Sequence, residues 1–228
     1  MAIRQLWPTP VMEEHVALPE DMRQALINVL VRKEEDRHTI ADTAPDFHAF
    51  MQSKRFYAST HYNLFDEAAR HPERDAILAF ERVACKLFRR YLREGMGVEQ
   101  ADEIKLAGRA FGNVQEPGAR TFPHYHQTVD GVMVHYLAVG DGFDPEADRT
   151  HRHGSHALLC LDPRGAINYP YWEKVESIAP YQGLTVIHPG YLWHETNTWR
   201  GDGTRVVMVV NFQVVSHGYV ELHREMRF

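Results

Sequence analysis

The residues whose types and spacing could do chemistry are three histidines in the second half of the chain. His124 and His126 are separated by a single tyrosine. In a β-strand, side chains at i and i+2 point to the same face, so both imidazoles would project together. Two imidazoles on one face form a two-point metal site. His194 is the natural third ligand, because it follows a strand-like run and the Pro189-Gly190 turn at the rim of the predicted β-structure.

Arg205 adds a possible anion site to this pattern. It follows the glycine-rich turn 201–203, which predicts a hairpin that returns Arg205 to the end of the strand carrying His194. A guanidinium inside a barrel needs an anion, and a dicarboxylate would supply one through a bidentate pair. Three protein ligands on one face of octahedral iron(II) would leave two sites for the keto-acid group of 2-oxoglutarate and one for dioxygen. A structural zinc site would instead be closed by four ligands.

Other residues compete less well for a metal role. The pair His151-x-His153 lies in a polar loop that is expected to be solvated. Asp130 follows His126 by four residues, so a strand would carry it about 13 Å away, and only a turn at 127–130 would bring it back. The remaining histidines of the second half are expected to be core, surface or supporting groups: His135, His156, His188, His217 and His223.

The elements that must position these residues change character along the chain. The first third predicts a helix from Pro19 to near Asp36 and a second helix after Pro72, with a wide apolar stripe and an end at Gly95 and Gly97. After residue 103, apolar or alternating runs separated by turn residues predict seven strands, at 104–114, 120–127, 131–139, 156–161, 174–179, 183–188 and 204–215.

This order of elements predicts a mainly β fold, an antiparallel sandwich or barrel with N-terminal helices packed on one sheet. Residues 206–210 are apolar on both faces, as expected if one face lines the barrel and the other meets the helices. We expect one domain over 1–228, with a mainly helical covering region at 1–100 and the β core at 101–228. Cys85 and Cys160 lie in apolar runs and are expected to be buried free thiols of a reducing compartment.

Composition excludes some classes of protein. The chain is 44% hydrophobic and 25% charged, with a net charge of −6, and its densest cationic patch, Lys86 to Arg93, resembles one face of a helix. We therefore expect no nucleic-acid partner, since phosphate binding needs clustered cations. The first fifteen residues contain no apolar stretch of signal-peptide length, and no window approaches about 18 apolar residues. The expected protein is cytoplasmic and has no membrane partner.

At these same residues the sequence resembles the 2-oxoglutarate/Fe(II)-dependent oxygenases that share an N-terminal LFPTP segment and a PHxH…SGVYYL core, within the cupin-like jelly-roll superfamily. The matching stretches are Leu6–Val11, Pro123–His126, Asp130–Leu137, Leu161–Arg164, Pro180–Gly183, Pro189–His194 and Arg205 with Asn211-Phe212. The resemblance implies a double-stranded β-helix (jelly roll), with His194 binding iron and Arg205 pairing with the far carboxylate of 2-oxoglutarate. The superfamily's usual His-x-Asp or His-x-Glu motif reads His124-x-His126 here, which leaves the site one unit more positive.

The resulting hypothesis is a dioxygenase that couples oxidative decarboxylation of 2-oxoglutarate to hydroxylation or a related oxidation of a small-molecule or amino-acid-like substrate. Its implied cofactors are Fe(II) and 2-oxoglutarate, and dioxygen is the co-reactant. Candidate neighbours of the cosubstrate are Tyr136, Asn113 and Asn211, and candidate walls of the substrate side are Trp193 and Tyr191. The loops expected to select the substrate are 37–62 and 140–155.

Two alternatives stay open from the sequence. The first is a three-histidine cupin-like dioxygenase that does not use 2-oxoglutarate, in which Arg205 would bind the substrate's own carboxylate. The second is a non-catalytic jelly-roll protein whose histidines hold a structural metal or none. The oligomeric state is also open, and a homodimer is compatible with the sequence.

Overall fold

The chain forms two antiparallel β-sheets with helices on one side, in a computed structural model that describes residues 8–43, 62–141, 157–164, 174–215 and 224–226. The helices are α1 (Glu20–Thr43), α2 (Leu64–Glu67), a 3-10 turn (Ala68–Arg70) and α3 (Arg74–Glu94). The strands are β1 (Met12–His15), β2 (Leu106–Gln115), β3 (Gly131–Asp141), β4 (Leu158–Leu161), β5 (Val175–Ile178), β6 (Leu184–Pro189), β7 (His194–Thr196), β8 (Asp202–Val214) and β9 (Arg224–Glu225). The predicted mainly β class with N-terminal helices is confirmed.

The two sheets differ in size. The larger has the strand order β1-β6-β3-β8-β2-β9, and the smaller has the order β5-β4-β7. Strands β7 and β8 therefore belong to different sheets, so the predicted hairpin between His194 and Arg205 is wrong. The connection through Trp199 and Gly201 instead carries the chain from the small sheet to the large one, and Asp202 is already the first residue of β8.

Helices α1 and α3 cover the outer face of the large sheet. The predicted second helix is confirmed within two residues of Pro72 and Gly95, whereas α1 extends to Thr43, beyond its predicted end. Close packing explains why glycine occupies β2 under α1, since a Cβ at Gly112 would lie 2.4 Å from the Leu30 side chain. On α3, the ring of Phe88 stacks on Phe212 of β8, with 4.1 Å between the ring centroids.

Strand β8 is buried on both faces, as predicted. Val206, Met208 and Val210 pack into the core shared with the helices. Val207 and Val209 pack into a second core between the two sheets. Full burial of an aliphatic side chain of this size contributes about 1.5–3 kcal/mol, so both layers are held by the same strand.

Most predicted strands agree with the structure to within a few residues. The run 120–127 does not form a strand, because its only ladder contact is an isolated bridge at His124. Strands β1, β7 and β9, of four, three and two residues, were not predicted. The pair His151-x-His153 and most of the two expected substrate loops lie outside the described residues. No described helix combines the length and apolar character that crossing a membrane requires.

Candidate metal centre

Three histidines converge at one end of the space between the sheets. His124 and His126 come from the segment that precedes β3, and His194 is the first residue of β7. Each offers one ring nitrogen, and these three nitrogen atoms all lie within 4.8 Å of one another. The ring centroids are 5.1 Å apart for His124 and His126, 4.3 Å for His124 and His194, and 5.2 Å for His126 and His194. The predicted convergence of the three imidazoles is therefore present in the fold.

Backbone hydrogen bonds hold the two histidine-bearing segments together. The amide of His124 donates to the His194 carbonyl at 3.0 Å, and the amide of His194 donates to the His124 carbonyl at 2.9 Å. The amide of His126 donates to the Gly190 carbonyl at 2.9 Å. Gly190 has no room for a side chain, because a Cβ there would lie 2.0 Å from the Val129 carbonyl oxygen. The turn after β6 therefore fixes the position of His126.

Carbonyl oxygens orient two of the rings. Nδ1 of His124 lies 2.8 Å from the Phe122 oxygen, and Nδ1 of His194 lies 2.9 Å from the Leu192 oxygen. A carbonyl oxygen only accepts, so Nδ1 carries the proton in both rings and leaves Nε2 with a free lone pair. Metal-binding histidines are commonly oriented in this way.

Burial keeps these imidazoles neutral. It lowers the pKa of His124, and it lowers the pKa of His194 to well below the usual range, with the neighbouring histidines adding to the effect. The pKa of His126 is lowered to about 3 by burial and by His124 and His188, while a contact with the Asn211 side chain acts in the opposite direction. Neutral imidazole is the form that binds a metal.

A fourth histidine, His188, lies behind the three. Its ring centroid is 4.5 Å from that of His194, its side chain is fully buried, and its Nδ1 lies 2.9 Å from the Pro189 oxygen. Burial lowers the pKa of His188 to about 4. Sequence reasoning placed it only among the core, surface or supporting histidines, since no spacing ties it to the His124-x-His126 motif. The structure makes it a buried wall of the histidine cluster.

A cavity of about 420 Å³ extends from the three histidines into the space between the sheets. Arg205 lies in its wall, 2% exposed, and its Nη2 donates to Oε1 of Gln115 and, at 3.5 Å, to Oγ1 of Thr196. Gln115 in turn donates to Oγ1 of Thr121 at 3.1 Å. No sequence motif marks the three residues around Arg205, which are Gln115, Thr196 and Thr121.

The other predicted site residues divide into two groups. Tyr136, Asn113 and Asn211 line the cavity, and the ring of Tyr136 lies 6.0 Å from Cζ of Arg205. Trp193 and Tyr191 do not line it and are 42% and 52% exposed. Trp193 contacts the cavity only indirectly, because its ring packs on that of Tyr125, with 4.9 Å between the centroids.

Asp130, the carboxylate considered as a ligand, has a structural contact. Its Oδ2 accepts a hydrogen bond of 2.7 Å from the Val214 amide at the end of β8. Its backbone amide also donates to the Phe212 carbonyl. Asp130 therefore ties the start of β3 to the end of β8, and it is not part of the histidine group.

Comparison with known families agrees with this geometry. Residues 109–211, from β2 to β8, match the family model described as "Putative 2OG-Fe(II) oxygenase". The matched region resembles this oxygenase family. The family resemblance of the sequence is thereby confirmed, as are the oxidoreductase class and the cofactors Fe(II) and 2-oxoglutarate. No curated protein sequence matches the chain.

Solved structures also resemble the chain. A Trichoplax adhaerens prolyl hydroxylase in complex with a hypoxia inducible factor peptide is 9% identical, with a TM-score of 0.54 over 92% of this chain and 86% of that one. HygX from Streptomyces hygroscopicus, with nickel and 2-oxoglutarate bound, is 10% identical, with a TM-score of 0.51 over 90% and 82%. A Burkholderia pseudomallei oxidoreductase of the 2OG-Fe(II) oxygenase family is 14% identical, with a TM-score of 0.43. The match covers 68% of this chain and 59% of that one.

The likeness to the prolyl hydroxylase and HygX supports the jelly-roll fold that the sequence predicts. In this chain the large sheet carries the helices and Arg205, and the small sheet supplies His194. The metal centre thus lies where the two sheets meet.

Proposed function

We propose that the protein is a non-heme Fe(II)- and 2-oxoglutarate-dependent dioxygenase that hydroxylates or otherwise oxidises a small-molecule or amino-acid-like substrate. One observation carries the proposal. Three imidazole nitrogens lie within 4.8 Å of one another at a cavity whose wall also contains a buried guanidinium. A surface histidine cluster has no buried guanidinium beside it, and an ordinary β-sandwich core has no reason to bring three imidazoles and a guanidinium to one cavity.

The residues present fit a divalent iron. His124 and His194 have Nδ1 occupied by carbonyl oxygens, so that Nε2 of each is the atom available for a metal, and all three rings are neutral near pH 7. Imidazole is a normal ligand for iron, and three protein ligands leave positions open for other molecules. In this proposal His124, His126 and His194 hold Fe(II).

Arg205 fits the far carboxylate of 2-oxoglutarate. Its guanidinium is almost fully buried, and it donates to the neutral side chains of Gln115 and Thr196. A buried cation next to neutral acceptors is stabilised by an anion, and a guanidinium can pair with a carboxylate through two parallel hydrogen bonds. Nearby, the Oδ1 atom of Asn113 accepts no hydrogen bond from the described residues, so it can accept one from a bound molecule.

When bound, Fe(II) with 2-oxoglutarate supplies the activation of dioxygen that an oxidation of a C–H bond requires. The chain itself supplies position and exclusion of water. His188 and the Leu192 carbonyl fix the ring of His194 from behind, and Gly190 fixes the segment of His126. Val132, Val134 and Val209 give the cavity an apolar wall that limits water near the reacting group.

Anaerobic titration of the protein with Fe(II) and then 2-oxoglutarate tests the proposal. We expect a weak visible charge-transfer band in the wild type and succinate release when dioxygen is admitted. His15→Ala is the matched control, since His15 is an exposed histidine of β1, and it should behave like the wild type. Folded wild-type protein that binds Fe(II) but gives no band with 2-oxoglutarate would overturn the assignment of the cosubstrate.

A three-histidine dioxygenase that does not use 2-oxoglutarate is the second candidate. The observation in its favour is His126, an imidazole where the superfamily's usual motif has a carboxylate. In that case Arg205 would bind a carboxylate of the substrate. The ratio of succinate formed to dioxygen consumed separates the two reactions: a ratio near one supports the 2-oxoglutarate reaction, and consumption of dioxygen without succinate supports the second candidate.

A further inference from the structure

A second arginine, Arg109, lines the cavity at the end opposite Arg205. On strand β2, Arg109 pairs with Asn211 of β8, and six residues further on Gln115 pairs with Arg205. At about 3.3 Å per residue, this register places the two arginines roughly 20 Å apart along the sheet. Asn211 contacts His126, so the Arg109 end is the end next to the histidines. The two guanidinium groups thus lie towards opposite ends of the cavity.

The guanidinium of Arg109 is not neutralised by the part of the chain that the structure describes. Its one hydrogen bond is from Nε to the Tyr62 carbonyl oxygen, at 3.2 Å, and its Cζ lies 5.9 Å from the ring of Phe111. No ion pair joins it to a described carboxylate. Among the described residues that line the cavity there are two arginines and no aspartate or glutamate. Burial without a compensating carboxylate lowers the pKa of Arg109.

Part of the Arg109 guanidinium is available to a bound molecule. Nε and Cζ of Arg109 are held in place by Tyr62 and Phe111, while Nη1 and Nη2 donate to no described residue and are available to a ligand. A fixed guanidinium with free donors binds carboxylates and phosphates in preference to neutral groups. The cosubstrate already accounts for Arg205 in the proposed function, which leaves Arg109 for a different molecule.

We propose that Arg109 binds an anionic group, a carboxylate or a phosphate, of the substrate at its end of the cavity. The substrate is then a small anion, oriented with its charged end towards β2 and the carbon to be oxidised towards the histidines. The inference rests on the proposed function, and it narrows the substrate class to anionic molecules. Arg109 determines specificity by binding and takes no part in the chemistry at the metal.

The test measures binding directly, since the substrate itself is not identified. Protein saturated anaerobically with Fe(II) and 2-oxoglutarate, so that Arg205 is occupied, is titrated with benzoate, phenyl phosphate and the neutral benzamide. We expect one or both anions to bind at least about tenfold more tightly than benzamide, since charge-assisted hydrogen bonds are worth about 1.5–3 kcal/mol. The tighter of the two anions identifies carboxylate or phosphate as the group recognised.

Variants assign the preference to Arg109. Arg109→Gln should raise the Kd of the anions about tenfold or more and change that of benzamide by less than about twofold. Arg109→Lys, which keeps the charge, should retain part of the preference for anions. Arg93→Gln is the control, because it removes an equal charge on the exposed side of α3, where Arg93 donates to Asp102.

Several results would overturn the inference. The wild type would bind all three probes equally or bind none of them. Alternatively, Arg109→Gln would lower the affinity for the anions and for benzamide by the same factor. The proposed function is tested separately, because the visible band with 2-oxoglutarate is absent if that function is wrong. A missing band together with an intact, Arg109-dependent preference for anions would overturn the cosubstrate and leave the anion site standing.

Discussion

His124 and His194 lie opposite each other as a hydrogen-bonded antiparallel pair, although they come from distant parts of the sequence. In such a pair the two residues exchange both backbone hydrogen bonds. Their Nδ1 atoms have equivalent partners, the carbonyl oxygens two residues earlier, at Phe122 and Leu192. The relative position of two metal-ligand candidates is therefore set by the backbone, and side-chain rotation adds little freedom to it.

Removing His194 should abolish metal binding and activity together. His194→Ala deletes the ring that has both other histidines and His188 as neighbours. We expect Fe(II) affinity to fall by more than about 10–100-fold, which is the loss typical when a group that only orients a metal ligand is removed. Equilibrium dialysis with iron analysis measures this, alongside His15→Ala as the histidine control. Unchanged iron binding in folded His194→Ala would exclude this residue as a ligand.

Arg205→Ala should mainly raise the requirement for 2-oxoglutarate. Loss of a charge-assisted bidentate pair costs about 1.5–3 kcal/mol, which corresponds to a rise in KM of roughly 10–100-fold. Thr196→Val, which removes the hydroxyl that accepts from Arg205 and from the Thr121 amide, should have a smaller effect in the same direction. Initial rates of succinate formation against 2-oxoglutarate concentration check both variants. A KM for 2-oxoglutarate that stays at the wild-type value in Arg205→Ala would refute the role of this residue.

Gly190→Ala should weaken the metal site without touching a ligand. The added Cβ would meet the Val129 carbonyl oxygen at 2.0 Å, and the segment that must move carries His126. We expect lower Fe(II) affinity and a stability loss of about 1–3 kcal/mol, as for other overpacked positions. Gly97→Ala is the comparison, because its added Cβ meets nothing within 4 Å and its positive φ costs only backbone strain. If both variants bind Fe(II) like the wild type, the turn does not control the site.

His126→Asp should be tolerated by the metal site, in contrast to His126→Ala. The aspartate restores the usual carboxylate of the superfamily motif and offsets one unit of positive charge. We therefore expect Fe(II) affinity equal to or higher than that of the wild type, with less competition from Zn(II) or Cu(II), which imidazole ligands suit. Competition dialysis with the two metals compares the three proteins. An aspartate variant as weak as the alanine variant would show that His126 contributes through its ring alone.

The metal-free protein should lose stability as the pH falls from about 6.5 to about 4, in part through His135. This residue is buried beside Phe80, its Nδ1 lies 2.8 Å from Oγ1 of Thr185, and burial with the nearby His15 lowers its pKa to about 4. Over that range the unfolded chain binds a proton that the folded chain does not, so protons favour unfolding. The loss from this one group approaches about 3 kcal/mol at the acid end.

Urea unfolding of the wild type and His135→Gln at pH 7 and pH 4.5 measures this contribution. The glutamine keeps a hydrogen-bonding group for Thr185 and does not titrate. The difference in free energy of unfolding between the two pH values should therefore be smaller in the variant. An equal difference in both proteins would assign the acid sensitivity to other groups.

The sequence predicted the long elements of the fold because their patterns extend over many residues. The stripe of α3 and the doubly apolar run of β8 needed no tertiary information. Strand β7 has three residues, so no period could reveal it, and the predicted hairpin to Arg205 assumed one sheet where the chain crosses between two. Register and sheet membership depend on contacts between distant segments, which a local pattern does not contain.

The residues of the candidate site also differ in whether a local motif predicts them. His124, His126 and His194 carry a motif, and the structure brings all three together. Arg109 and His188 have no such signal, because each becomes interesting only through a neighbour that is remote in sequence. Trp193 and Tyr191 are exposed because of the direction in which the turn after β6 leaves the sheet. Their aromatic side chains alone do not predict that direction.

Because β8 is buried on both faces, substitutions in the helical layer can change the shape of the cavity between the two sheets. Met208 touches the helical layer, and its neighbours Val207 and Val209 form the wall of the cavity. A change of side-chain volume under α1 or α3 would shift this strand and alter the width of the chamber from outside. Selection for a new substrate could therefore act on helix residues far from any ligand, while the histidines and Arg205 stay the same.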